Sequence, residues 1–532
     1  MMIGNRIAAL RNKHSITQEE LAEALYVSRQ AVQKWETNLA KPDVEKLILL
    51  AEYFFVSIDE LVGNKTKGKT TEELRFSSKY VPDYTILHGW ELYSENIKTE
   101  YLQLLEEGKD VSRYKKLINE ISNLPTGKSK EEMCEIACSF MHSAGMKTDY
   151  PYYEPSVLER IKGQRRKTDW SAENKAEEIS REIMFDKIHG AWLGRICGCL
   201  LGKPIEGIKT KDLDYLLKET GNFPLNRYIL KKEITEEIAK NCIFPMMEDG
   251  FTDTIEEAPA DDDTNYTVMS ATRLIEKYGR DFKPEDVLNC WIDNQPKGVY
   301  CTAERVAFIN FINGYRPPDS AKYKNPFREW IGAQIRGDYY GYINPGNPEA
   351  AADMAWRDAS ISHVKNGIYG EMFVAAMLAC AAVCNDIKTI IAVGLAEIPH
   401  KSRLHVRIEE IIKMHDKKKT AQQCFDYIHK LYDENESHGW CHTISNAMIV
   451  VTALLYGNLD YSKSICMAVG ACFDTDCNGA TVGSIVGMII GAEKIPKQWT
   501  KVINNNLRTA IFGIGTISVT ELAELTMKHM KN

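Results

Sequence analysis

Two short aspartate runs are the residues of this sequence best suited to chemistry. One is Asp261-Asp262-Asp263, leading into Thr264-Asn265-Tyr266-Thr267; the other is Asp474-Thr475-Asp476, leading into Cys477-Asn478-Gly479. Each stands just before an apolar helical stretch, where a single Asp is accounted for as an N-cap that stabilises a helix by about 0.5–2 kcal/mol. Capping uses one carboxylate. It leaves unexplained three in a row, and a second Asp-x-Asp set far along the chain. Like charges gathered in one place cost free energy unless cations neutralise them. Oxygen ligands without a matching His/Cys set point to Mg2+ or Mn2+ rather than zinc.

The elements that must position these runs read as helices. From about Ile183 onward, apolar helical stretches alternate with polar loops and little period-two pattern is seen, so an all-α fold is expected. Gly479, Gly483, Gly487 and Gly491 recur every four residues and put small residues on one helix face, where a second helix can pack closely. The chain has 532 residues and a formal net charge of −8, ordinary globular composition with room for several folding units. Its longest apolar runs, near Phe373–Val383 and Ile485–Ala492, fall far short of the roughly 18 residues of a membrane span. The first residues lack the apolar stretch of a secretory signal. Fourteen cysteines without a CxxC pair read as reduced thiols, and a cytoplasmic protein is expected. An acidic balance excludes indiscriminate coating of nucleic acid but leaves room for a local DNA-reading module.

Such a module is expected over residues 1–63. Thr17 with Glu20 makes a capping box, Ser28 is a second N-cap, and Pro42-Asp43 opens a further helix. Five short helices with a tight turn at Tyr26-Val27 form a helix-turn-helix, whose second helix lies in the major groove. Ser28, Arg29, Gln30, Gln33 and Lys34 are the candidate DNA contacts, because Gln pairs with adenine and Arg or Lys reaches guanine or phosphate. The stretch LAEALYVSRQAVQKWETNLAKPDVEKLILLAEYFFVSIDELVG resembles the Cro/C1-type (XRE) repressor family. That resemblance implies reading of an operator by a homodimer. The module holds seven Lys/Arg against nine Asp/Glu, so phosphate contacts must come from local groups such as Arg11, Lys13, Arg29, Lys34 and Lys41.

Residues 64–71, rich in Gly, Lys and Thr, read as a linker. Residues 72–182 read as a helical segment of no assigned role, ending in a basic run, Lys162 to Lys167, expected to be a solvated connection.

The remainder, 183–532, carries GAWLGRICGCLLGKPIEG, ADDDTNYT, NPGNPEAAADMAWRDASISHVKNGIYGEMFVAAM and FDTDCNGATVGSIVGMIIGA in that order. Together these resemble the ADP-ribosylglycohydrolase family, which includes the dinitrogenase-reductase-activating glycohydrolases. The resemblance implies an all-α domain with two ions, magnesium or manganese, that cleaves an ADP-ribosyl glycosidic bond on a protein or a small molecule. It assigns Asp261, Asp262, Asp263, Asp474 and Asp476 to the metals and Glu206, Asp262 and Asp476 to catalysis. Gly346, Asn347, Ser362 and His363 fall to substrate. Three positions depart from the family pattern: Asp261 replaces a hydroxyl residue, Cys477 replaces another, and Cys199 stands where Asp is usual. Tyr339, Tyr340 and Tyr342 are available either to stack on adenine or simply to pack. The expectation is a DNA-localised hydrolase. The alternative is a transcriptional regulator whose divergent domain senses ADP-ribose, NAD or a nucleoside without turnover.

Overall fold

The structure is a computed structural model that describes residues 2–63, 80–166, 168, 170–171, 178–242 and 250–530. The expected linker 64–71 lies outside the described residues, as do 72–79, 167, 169 and 172–177 of the segment after it. The chain forms two compact units, 1–85 and 86–532, each described by itself. Both are helical.

The first unit holds α1 (Ile3–Lys13), α2 (Gln18–Ala24), α3 (Arg29–Glu36), α4 (Val44–Tyr53) and α5 (Ile58–Val62). Thr17 Oγ1 accepts from the Glu20 amide at 3.1 Å, and Glu20 accepts from the Thr17 amide at 2.6 Å, so both start signals of α2 are used. Ser28 Oγ accepts from the Ala31 amide and starts α3. Ile7, Leu21, Val32, Trp35, Leu50 and Leu61 close the core. Tyr26, at φ 52°, makes the turn between α2 and α3.

The second unit begins earlier than the sequence reading placed it: residues 86–166 belong to the same compact body as the 180–530 region. Helices Ile97–Glu106, Lys115–Ser122 and Lys128–Ser143 build a small core of their own around Ile97, Leu104, Ile118 and Met141. Buried ion pairs bind this segment to the rest. Arg328 grips Glu100 at 2.9 Å and Glu107 at 2.8 Å, and Arg403 grips Glu154 at 3.0 Å and Glu329 at 2.6 Å. The basic run is no solvated connection. Lys162 pairs with Asp353 at 2.5 Å, Arg165 with Glu397 at 2.8 Å and Arg166 with Glu409 at 2.6 Å. A charge run reads as solvated only until distant carboxylates are brought opposite it.

His142 supplies a pH test of this segment. Its ring bonds Cys138 and Glu100, the latter at 2.9 Å, and these partners push its pKa from 6.5 up to about 9. A base whose folded pKa is raised contributes stability below its unfolded pKa and loses it as pH rises through the folded one. The thermal midpoint is therefore expected to fall between pH 7 and pH 10, and His142→Gln should flatten that part of the profile relative to the parent chain. Superimposable profiles would place no stabilisation in this pair.

The core of the unit is the crossing of Arg181–Gly202 with Thr475–Ile490. Gly190, Gly194 and Gly198 of the first meet Gly487, Gly483 and Gly479 of the second, backbone against backbone. Gly491, the last of the expected stripe, ends the helix instead, at φ 85°. A Cβ on Gly198 would lie 2.0 Å from the Gly479 carbonyl oxygen, which no rotamer change relieves. Gly198→Ala is expected to cost about 3 kcal/mol or more, read as a lower urea midpoint of helical dichroism. The helices run antiparallel, so Gly202 at the end of one abuts Thr475 and Asp476 at the start of the other. A short antiparallel pair, Asn506–Arg508 with Thr516–Ser518, is the one β-ladder among the described residues. No helix among them is long and apolar enough to cross a membrane. All fourteen cysteines are free thiols.

Candidate functional site

Three chain segments converge where the glycine-lined helices meet. The end of Arg181–Gly202 and the turn after it bring Cys199, Lys203 and Glu206. The helix Asp262–Met269, capped by Asp261, brings the first aspartate run. The start of Thr475–Ile490, with Asp474 at the N-cap position but its side chain making no capping bond, brings the second. Asp261 Oδ1 accepts from the Asp263 amide at 2.9 Å, which is the capping role; the other carboxylates are surplus to it. Ligand atoms of Asp261, Asp262 and Asp263 lie within 4.8 Å of one another, as do those of Glu206, Asp474 and Asp476. All five expected metal residues and all three expected catalytic residues thus meet at one place.

The electrostatics show what this cluster lacks. Six carboxylates meet two fixed cations. Lys203 pairs with Asp261 at 2.9 Å, and Arg195, itself fully buried, is divided between Asp263 at 3.3 Å and Asp338 at 3.0 Å. Burial works against the Asp261 charge, yet Lys203 holds its carboxyl below the usual range. Burial, then Asp261, Glu304 and Asp474, push Asp262 up to about 7. Burial, followed by neighbouring carboxylates, raises Glu206 and Asp476 well above the usual range. Asp474 Oδ1 and Asp476 Oδ1 are buried without any hydrogen-bond partner. Buried, unpartnered carboxylate oxygens at an excess of negative charge are what a divalent cation satisfies, so the donor set fits metal ions. Asp262 and Glu206 are the carboxylates of the cluster that reach solvent, together with the neighbouring Cys301, and they form its mouth.

The expected substrate residues are divided. Ser362 and His363 come close to the cluster but are buried. Ser362 Oγ accepts from Arg336 and lies 2.8 Å from His363 Nδ1, while His363 Nε2 stands 3.9 Å from Glu304. Burial, then Arg336, lowers the His363 pKa and keeps the ring neutral. The Gly346 amide donates to the Ala379 carbonyl. Asn347 caps the helix Pro348–Ala359, which at about 1.5 Å per residue sets it a helix length from Ser362. Of the two roles open to the tyrosines the structure shows packing: Tyr339, Tyr340 and Tyr342 are fully buried, with hydroxyls on His529, Asp358 and Ser484, and no ring is open to adenine. Lys203 was overlooked, although it stands inside the GKPIE stretch. Glu304, Arg336 and Glu371 come from other elements and had no local pattern to reveal them.

A second cluster, Glu106, His438 and His442, has metal-like spacing but is closed by protons. Trp330 Nε1 donates to His438 Nδ1 at 3.1 Å, and the Ile444 amide donates to His442 Nδ1 at 3.1 Å. Each neutral ring then carries its proton on Nε2, facing Glu106 at 3.4 and 3.2 Å, whereas a ligating His donates from its other nitrogen.

In the first unit Ser28, Arg29, Gln30, Gln33 and Lys34 are all exposed along α3 and the residue before it. Arg11 is withdrawn from the expected phosphate contacts, because Glu36 holds its guanidinium at 2.6 Å.

A largely helical body with a buried carboxylate centre, in one chain with a five-helix unit that exposes its recognition helix, makes a two-module protein. The description ADP-ribosylglycohydrolase matches residues 180–530, two thirds of the length, and helix-turn-helix matches residues 7–61. The chain belongs to the ADP-ribosylglycohydrolase family and carries a helix-turn-helix domain fused to it. Among curated proteins it is similar to the HTH-type transcriptional activator BcrR of Enterococcus faecalis, 37% identical over 90 residues, 16% of this chain and 44% of that protein. It is also similar to the uncharacterized HTH-type transcriptional regulator YobD of Bacillus subtilis, 34% identical over 62 residues, 12% of this chain and 55% of that one. The chain thus spans about half the length of these relatives. Among solved structures, an ADP-ribosylglycohydrolase-related protein complex aligns over 65% of this chain and 98% of its own, at 18% identity and a TM-score of 0.41.

Proposed function

We propose that the large unit is a metal-dependent hydrolase of an ADP-ribosyl or related ribosyl glycosidic bond, and that the helix-turn-helix unit holds it, as a dimer, at a DNA operator. The observation that carries the reading is the pair of buried, unpartnered oxygens on Asp474 and Asp476 within a six-carboxylate cluster. Asp262, Asp263, Asp474 and Asp476 would hold two divalent ions, with Asp261 shared with Lys203. Bound there, such ions supply Lewis-acid charge and a water acidified towards neutral pH. The rest falls to the chain. Glu206, at the mouth and able to carry a proton, exchanges it with the water or the departing atom. The negative cluster favours the positive charge that develops on the ribose as its bond to the acceptor lengthens. Ser362, His363 and Glu304, locked by Arg336, hold the wall behind Asp262. Arg29, Gln30, Gln33 and Lys34 read bases and phosphates, and DNA affinity depends on what the large unit binds.

The test follows ADP-ribose release from Arg-linked, Ser-linked and small-molecule ADP-ribosyl substrates with Mg2+, Mn2+ or Co2+, beside an Asp262→Asn/Asp476→Asn control. Metal-dependent release lost in the control is expected. Binding of ADP-ribose without release would make the unit a sensor that regulates transcription. Equal operator affinity with and without ADP-ribose would sever the two modules functionally.

A further inference from the structure

Four of the five aspartates at the centre carry a cysteine each. Cys477 Sγ lies 3.0 Å from Asp263 Oδ2, and Cys441 Sγ lies 3.4 Å from Asp474 Oδ2. Cys199 is hydrogen-bonded to Asp261, and Cys301 to Asp262. Cys477 also bonds Asp474, so four thiols are turned towards the carboxylates of this one centre. Asp476, the aspartate without a hydrogen-bonded thiol, has carboxylate oxygen within 4.8 Å of both Cys199 Sγ and Cys477 Sγ.

The grouping of ligand atoms goes further. Cys199 Sγ, an Asp261 oxygen and an Asp476 oxygen lie within 4.8 Å of one another; so do Cys477 Sγ, an Asp263 oxygen and an Asp476 oxygen. These are two three-ligand sets, each with one sulfur and two carboxylates, that share Asp476. Ligand atoms around a tetrahedral zinc-class ion stand about 3.5 Å apart, given metal–sulfur and metal–oxygen distances of about 2.3 and 2.0–2.2 Å. Both sets lie within 4.8 Å, and one of their pairs, Cys477 Sγ with Asp263 Oδ2, is already at 3.0 Å. Hard Mg2+ gains nothing from sulfur, whereas borderline-soft ions do.

Resting on the reading of this cluster as a metal centre, we propose that Cys199 and Cys477 are sulfur ligands that make it a site for thiophilic divalent cations of the zinc and cobalt class, in two positions bridged by Asp476. On ligation each thiol gives its proton to solvent and its sulfur lone pair to the metal, with no change of oxidation state. Cys301 and Cys441 remain hydrogen-bond partners of Asp262 and Asp474 and hold those carboxylates towards the ions. The magnesium expected from oxygen ligands alone is thereby displaced as the preferred ion.

The test needs no activity. The full chain, freed of metal by chelation, is titrated with Co2+ and its absorption spectrum recorded. A near-ultraviolet sulfur-to-cobalt charge-transfer band is expected beside the weak visible bands. Cys199→Ser/Cys477→Ser should lose most of that band and narrow the Zn2+-over-Mg2+ preference at least ten-fold in competition. Cys466→Ser, a buried cysteine elsewhere, should leave both unchanged. Visible cobalt bands without charge transfer in the unaltered chain would overturn the proposal and leave an oxygen-only centre, with the hydrolase reading intact. A charge-transfer band that survives in the double variant would overturn it as well. Absence of any bound Co2+ would remove both readings together.

Discussion

In the Asp476→Asn variant, metal-dependent cleavage is expected to fall by about 10³-fold or more, the size of a loss of several kcal/mol at about 1.4 kcal/mol per factor of ten. Asp476 takes part in three of the four ligand groupings at the centre, and its Oδ1 has no other partner. Stability should move the other way. Without metal this buried carboxylate faces Glu206, Asp474, Asp261 and Asp263, which push its pKa well above the usual range, so the neutral amide relieves repulsion that Lys203 offsets only in part. The metal-free variant is therefore expected to melt above the metal-free parent. Adding metal should reverse the order, because only the parent gains binding free energy on top of folding. Calorimetry with and without metal, beside an assay of ADP-ribose release, checks both halves. Full activity in the variant would take Asp476 out of the centre, and a lower metal-free melting point would refute the charge-crowding account.

What the sequence made legible was local. The capping signals at Thr17, Glu20 and Ser28 act within one helical turn, and they operate as read. The glycine stripe announced a close helix contact, yet its partner face, Gly190, Gly194 and Gly198, could be recognised only from the crossing itself. The aspartate runs declared an excess of charge. Their meeting with Glu206 depends on two helices running antiparallel at backbone distance, which no spacing rule encodes. The tyrosines left two roles open because an aromatic run looks the same whether it lines a cleft or fills a core. Lys162, Arg165 and Arg166 did mislead, since their carboxylates are remote in sequence. The ionic framework behind the site was invisible for that same reason: each charge sits on a different element.

Arg336 is the test of that framework. It is 1% exposed, donates to Glu304 at 2.6 Å and to Asp358, and gives Ser362 Oγ a bond at 2.8 Å. Glu371, with both carboxylate oxygens buried and unbonded, has Arg336 at 3.8 Å as its nearest cation. The guanidinium also lies over the ring of Trp291, 5.0 Å from its centroid. Arg336→Met is expected to cost about 3–5 kcal/mol, because breaking a buried pair strands the partners' charge. Lys should not rescue, since one ammonium cannot reproduce a planar fork shared among three groups. Non-additivity is expected as well. If stranded charge is the cost, Arg336→Met/Glu371→Gln should lose less stability than Arg336→Met alone, measured as urea midpoints in a double-mutant cycle. Equal losses would mean that the fork matters through shape and hydrogen bonds, with Glu371 neutral in the parent. Either way Glu304, which lies beside Asp262, loses its anchor, so a folded Arg336 variant is expected to bind metal more weakly without a ligand having been touched.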